Sequence, residues 1–193
     1  MFFVSRPSLA RIEQFLKESA DLPLSYSPVG LAAQSPAGFT VGESVVTVGQ
    51  GRAAFDRAES ALQAWRHYDI GWVELFPRAA SVKPGSVVAV LIRHLGIWSL
   101  NGCRVLYTLG AHGSGESYGF AYGTLTNHAE SGEEVFEIAR DPRSDEVTYR
   151  IRGVARPQSF LARAGQPIVR LLQAKFRRDS GEAFRAALNG GSR

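Results

Sequence analysis

The chain has 193 residues, 45% of them hydrophobic, with 22 Lys and Arg against 18 Asp and Glu and a formal charge of +4. Its length suits one well-packed core and calls for no second domain, and the small positive charge falls short of a nucleic-acid binder. A lone cysteine excludes an intrachain disulfide, and the longest apolar run, six residues at 87–92, is too short to cross a bilayer.

Met1-Phe-Phe-Val-Ser-Arg-Pro7 places its positive side chain after a three-residue apolar run, the reverse of a signal peptide's order, so a cytoplasmic protein is expected. Ser8 can cap a helix in which Leu9, Ile12, Phe15 and Leu16 recur at helical spacing. Residues 21–39 are broken by Pro23, Pro28 and Pro36, yet Leu24, Tyr26, Val29, Leu31 and Phe39 are apolar enough to lie against the core. Residues 45–48 read as a strand and 52–67 as a helix.

Short extended runs follow at 71–76, 86–93, 103–109, 118–125, 133–139 and 146–155, separated by turn-rich segments such as Lys83-Pro84-Gly85 and residues 141–145. Consecutive strands at this spacing favour an antiparallel meander. The last region carries a helical stripe of Phe160, Ala164, Ile168, Leu171, Leu172, Phe176, Ala183 and Ala187, with Gly165 and Pro167 expected to divide its first turns and Asn189-Gly-Gly191 to end it. The predicted class is α+β, a curved antiparallel sheet gripping a long C-terminal helix. It forms a single domain made of residues 1–44 packed on the core, 45–155 as strand, helix and meander, and 156–188 as the final helix.

Gly119-Phe-Ala-Tyr-Gly-Thr-Leu125 with Gly132-Glu-Glu134 is the most specific motif. With Tyr26-Ser-Pro-Val-Gly30, Gly49-Gln-Gly51, Gly71-Trp-Val73 and Cys103-Arg-Val105 it resembles the uncharacterised protein family 0548, from about Arg6 to about Arg178. The chain departs from the family at Thr126-Asn127, where the pattern has Pro-Gly before the histidine. The family brings no activity with it. The order of elements is similar to the START-like helix-grip superfamily of polyketide cyclases, lipid-transfer domains and pollen allergens, and that resemblance implies an internal cavity for an apolar small molecule.

Strand alternation puts Cys103, Val105, Tyr107 and Leu109 on one face with Tyr118, Phe120, Tyr122, Thr124, Phe136, Ile138, Val147, Tyr149 and Ile151. Small Gly119, Ala121 and Gly123 fall on the other. The candidate ligand contacts are therefore Tyr107, Tyr118, Phe120, Tyr122, Thr124, Phe136 and Tyr149, with Arg156 as an anion contact where the last strand enters the helix. Hydroxyls in an apolar wall suit a mainly apolar ligand carrying an oxygen or two; the same residues also suit a filled core.

His128, Glu130, Glu133 and Glu134 read first as a solvated turn, with acid-base work or metal binding as lesser alternatives. Gly49-Gln-Gly51-Arg-Ala-Ala54 matches a dinucleotide fingerprint, but without repeated strand-helix alternation a strand-to-helix turn is the better reading. Cys103 reads as a buried structural thiol. Arg163, Arg170 and Arg177, seven apart, are placed on a solvated helix face that could make weak contact with an anionic surface. No cofactor or metal is expected. The leading function is binding of an apolar or aromatic small molecule. Its competitors are an enzyme using Tyr107, Tyr122, His128 or Glu134 for proton transfer, and a partner-binding protein with a filled core.

Overall fold

A computed structural model describes residues 1–110, 112, 113, 115–158 and 166–190. In chain order the elements are β1 (Phe2–Phe3), α1 (Leu9–Ser19), a 3-10 turn (Leu31–Ala33), β2 (Thr40–Gln50), α2 (Arg52–Gln63) and a second 3-10 turn (Arg66–Tyr68). They continue with β3 (Val73–Phe76), β4 (Val87–His94), β5 (Ile97–Gly110), β6 (Ser117–Thr124), β7 (Glu130–Arg140), β8 (Glu146–Pro157) and α3 (Gln166–Asn189). The sheet runs β2-β8-β7-β6-β5-β4-β3, every pairing antiparallel, with β1 added beside β5. This is the expected α+β arrangement, with α3 lying against β2, β8 and α2 on the concave face.

Ser8 caps α1 by accepting from Arg11 N at 3.2 Å, and Ile12 and Phe15 bury themselves outside the sheet on Ala89, Leu91 and Leu100. On the other face of β4, Val88 and Val90 enter the main core with α2. Gly49 and Gly51 make the strand-to-helix turn. A Cβ at Gly49 would approach that of Ala54 to 2.7 Å, and Gly51 has φ 81. The helix ends earlier than its periodicity suggests because Trp65 turns left-handed (φ 56) and sends Tyr68 inward.

Two departures in β5 matter for the site. The strand starts at Ile97 rather than 103, because Leu95 and Gly96, both with positive φ (49 and 77), close a two-residue hairpin with His94 opposite Ile97. The register then shifts between Val105 and Tyr107: Val105 pairs with Tyr122, but Tyr107 with Ala121. This bulge puts two successive side chains, Leu106 and Tyr107, on the convex face and inverts the alternation beyond it. Tyr107 and Leu109 therefore do not join Phe120, Phe136 and Tyr149 inside, contrary to strict alternation.

The terminal helix is rotated from its predicted stripe. Ile168 is 47% and Leu171 71% exposed, whereas Ser180 and Phe184 are fully buried and Leu188 nearly so. The inner line is Leu172, Phe176, Ser180, Phe184 and Leu188, spaced by four, and Arg177 beside it turns toward the sheet rather than solvent. Pro167 lies in the first turn of α3, where a missing amide N–H costs little. Phe160, Arg163, Ala164 and Gly165 lie outside the described residues.

Candidate functional site

The interior of the curled sheet changes character from row to row. Phe120, Phe136 and Ile151 stand side by side across β6, β7 and β8. With Tyr149 and Phe184 they fill one half against Trp65 and His67 of the α2 region. The next row is Tyr122, Glu134, Gly153 and Gly42, and the one beyond it pairs Gly132, Ala155 and Thr40. As the side chains shrink, the sheet and helix no longer meet. A cavity of about 550 Å³ remains, walled by Val90 and Ile92 of β4, Ser99 and Asn101 of β5, Tyr68, Trp72, and Leu172, Gln173 and Phe176 of α3.

One wall is polar and internally ordered. Tyr122 donates to Glu134 Oε2 at 2.8 Å, so in its 2.7 Å contact with Tyr68 it is Tyr68 that donates. Burial pushes both phenols up, with Glu134 reinforcing the effect. Burial also raises Glu134, opposed by the Tyr122 hydrogen bond and by Arg177. That guanidinium reaches over bare backbone: a Cβ at Gly42 would lie 2.5 Å from Arg177 Cζ.

Glu130, two inward positions along β7, is held up at about 7 by burial and by Glu134, against a 2.7 Å hydrogen bond from Gln173 Nε2. His128 Nδ1 accepts from Glu130 N at 2.9 Å, and burial holds its ring down at about 4. It is therefore neutral, with Nε2–H as a donor.

Glu133 faces the other way. On the convex side it accepts from Tyr26 Oη (2.7 Å), Gly30 N (2.9 Å), Ala32 N (3.3 Å) and Tyr107 Oη (2.6 Å). The Tyr26–Gly30 and Gly132–Glu134 motifs are thus one unit that fastens the irregular segment to the sheet. The expectation that these side chains are solvated in and beside one turn fails for the glutamates, because β7 begins at Glu130 rather than 133 and its alternation sends Glu130 and Glu134 inward and Glu133 outward, while His128 does lie in the turn.

Of the eight residues singled out from sequence, Tyr122 and Thr124 line the cavity. Tyr118, Phe120, Phe136 and Tyr149 belong to the filled half, where Tyr149 Oη meets Ser180 Oγ at 3.1 Å. Tyr107 is on the convex face. Arg156 is exposed, its guanidinium 4.6 Å from the Phe39 ring and away from the cavity. Cys103 is fully buried and its thiol is pushed up by burial, which makes it a poor nucleophile. Sequence reasoning missed Tyr68, Trp72, Val90, Ile92, Leu172 and Arg177 as cavity walls. The four-residue repeat from Leu172 to Leu188 was the available signal for the helix face.

The family model described as a domain of unknown function, DUF1990, matches residues 25–183. The chain belongs to this family. Relatives include UPF0548 proteins of Dictyostelium discoideum, 30% identical over 93% of this chain and 92% of the relative, and of Deinococcus radiodurans, 32% identical over 91% and 92%. Among solved structures, the di-domain ARO/CYC StfQ from the steffimycin biosynthetic pathway superposes with TM-score 0.53 at 11% identity, covering 80% of this chain and 52% of that one. TTHA0849 from Thermus thermophilus gives 0.52 at 8% identity, over 80% and 99%. These likenesses place the DUF1990 domain in the helix-grip fold. Among its described residues no helix is long and apolar enough to cross a membrane.

Proposed function

We propose that this DUF1990 domain binds an apolar or aromatic small molecule between the sheet and α3. The observation that carries the proposal is the cavity itself: about 550 Å³, walled mainly by apolar and aromatic side chains, with a few polar groups along one side. Tyr122 and Thr124 remain ligand contacts in this reading, joined by Glu130, Glu134 and Arg177. Phe120, Phe136 and Tyr149 form the packed floor that holds them, and Arg156 has no part in it. A filled core would leave no such space. The single buried cysteine accords with the expected cytoplasmic setting.

The test is to fill the space. Leu172→Trp puts an indole into the cavity from a half-buried helix position. Native mass spectrometry of the gently purified protein should find a one-to-one apolar ligand, and this folded variant should hold it about ten-fold more weakly or not at all. Equal retention by both proteins would remove the cavity as the site.

A second reading, an enzyme working in the same cavity, is favoured by the unequal surroundings of its two acids. Glu134 accepts from Tyr122 and has Arg177 nearby, which favours the anion, whereas Glu130 has neither and is the better proton donor. Turnover of the retained compound, lost in Glu134→Gln, would support it.

A further inference from the structure

We propose that the cavity takes an apolar or aromatic body carrying a protonated amine, and that Glu130 is the carboxylate that anchors it. This rests on the small-molecule reading above and names its ligand class. The carboxylates set into the fold differ in how they are provided for. Glu133 has four donors; Glu59 accepts from Gly113 N at 3.1 Å and has His112 Nε2 at 3.7 Å; Asp179 is met by Trp72, Lys175 and Arg178; Glu134 has Tyr122 and Arg177. Among the described residues Glu130 has only the amide of Gln173 on Oε1 and no ion pair. A half-buried carboxylate in a cavity wall ordinarily has a cation or several donors, and among the described residues this one has neither.

Among the described residues, the groups around Glu130 account for its lack of a cation. Along β7 the next inward ionisable side chain is Glu134, a like charge, with only Gly132 at the inward position between them. His128, in the preceding turn, is kept neutral by burial, and burial also lowers His94 at the end of β4. The Met1 α-ammonium donates to the Leu100 carbonyl at 2.9 Å and acts on His128. From α3, Arg177 lies over Gly42 and acts on Glu134.

With no cation beside it among the described residues, Glu130 holds a proton in the unliganded protein, in keeping with its titration near 7. An entering ammonium exchanges with it: the O–H bond of Glu130 breaks, the proton leaves to water, and the carboxylate closes on the N–H groups of the amine. The rings of Tyr68 and Phe176 in the same wall also suit a cation, whereas that of Trp72 already meets Lys175 Nζ at 4.5 Å.

Three probes that share one aromatic body test this: naphthylethylamine, naphthylethanol and naphthylacetate. They are titrated calorimetrically into the intact protein at about pH 6 and about pH 8, in buffers of different ionisation enthalpy. The amine should bind tightest, gain up to about ten-fold in affinity between those pH values, and release most of a proton at the lower one. Folded Glu130→Gln, checked by thermal melting, should lose both the preference and the release; the wild-type measurements stand even if that variant does not fold. An alcohol or carboxylate binding as tightly as the amine, or amine binding without proton release at about pH 6, would overturn the amine assignment while leaving the cavity reading in place. Binding of none of the three would overturn both.

Discussion

At the scale of single residues, His67 and Glu133 show opposite ways of burying a polar group. His67 is fully buried, neither ring nitrogen has a hydrogen-bond partner, and the surrounding rings are aromatic, with Phe136 at 4.6 Å and Tyr68 at 4.9 Å. Burial lowers its pKa from 6.5 to about 3. Between these values the unfolded chain binds the proton that the folded chain refuses, so acid removes about 1.4 kcal/mol of stability per pH unit through this one group. The loss begins as pH falls below about 6.5 and ends near 3. Denaturant melts at several pH values should show a flatter acid limb in His67→Phe. Extra bulk would shift every pH equally, so an unchanged slope would mean that His67 is not the group responsible.

Glu133 is instead fully provided for, by two phenols and two backbone amides. A glutamine amide nitrogen cannot accept from the donors that now meet one carboxylate oxygen. Glu133→Gln should therefore cost about 2–4 kcal/mol, read as a shift in the denaturant midpoint. Glu134→Gln, facing the cavity with one hydrogen bond, should cost much less. Equal losses would contradict the division of this pair between two faces.

At the scale of elements, two glycines on the inner side of the sheet have different jobs. A Cβ at Gly132 would fall on the Val154 carbonyl and within 2.7 Å of Ala155 Cα, so Gly132→Ala has to part β7 from β8. At Gly42 the obstacle is the end of a flexible side chain, the Arg177 guanidinium, which can swing away. Gly132→Ala should lower stability by more than about 3 kcal/mol and Gly42→Ala by less than about 1 kcal/mol, in thermal or chemical melts. The second variant should also leave Glu134 without its nearby cation and raise its titration further.

Most elements were legible because period-two and helical patterns mark them locally. What was not legible depended on distant partners. Nothing at Leu106 announces a bulge, so Tyr107 was assigned inward. Asn101 and Gly102 fall outside the strand expected from 103, although Val90 and Ala89 of β4 pair with them. Arg177 looks solvated until Gly42, far away in sequence, is seen to leave room for it.

At the scale of the whole molecule, the curled sheet and α3 divide their shared interior into a packed half and an open half. The packed half contains Phe120, Phe136, Tyr149 and Phe184, and the open half begins where Gly132, Gly153 and Gly42 replace large side chains. The meander from β3 to β8 and the gripping helix were legible from the order of elements, whereas the pairing of β2 with β8 was not. The position of the boundary was not, since it depends on which residues stand opposite one another across strands.

The central claim is that a small molecule enters the open half. Methyl chemical shifts recorded during titration with a naphthyl probe test it directly. The account predicts saturable changes at Val90, Ile92 and Leu172, which wall the cavity, and little change at Val147 and Ile138 in the packed half. Changes confined to Val147 and Ile138, or to exposed methyls such as Val4 and Val45, would contradict it.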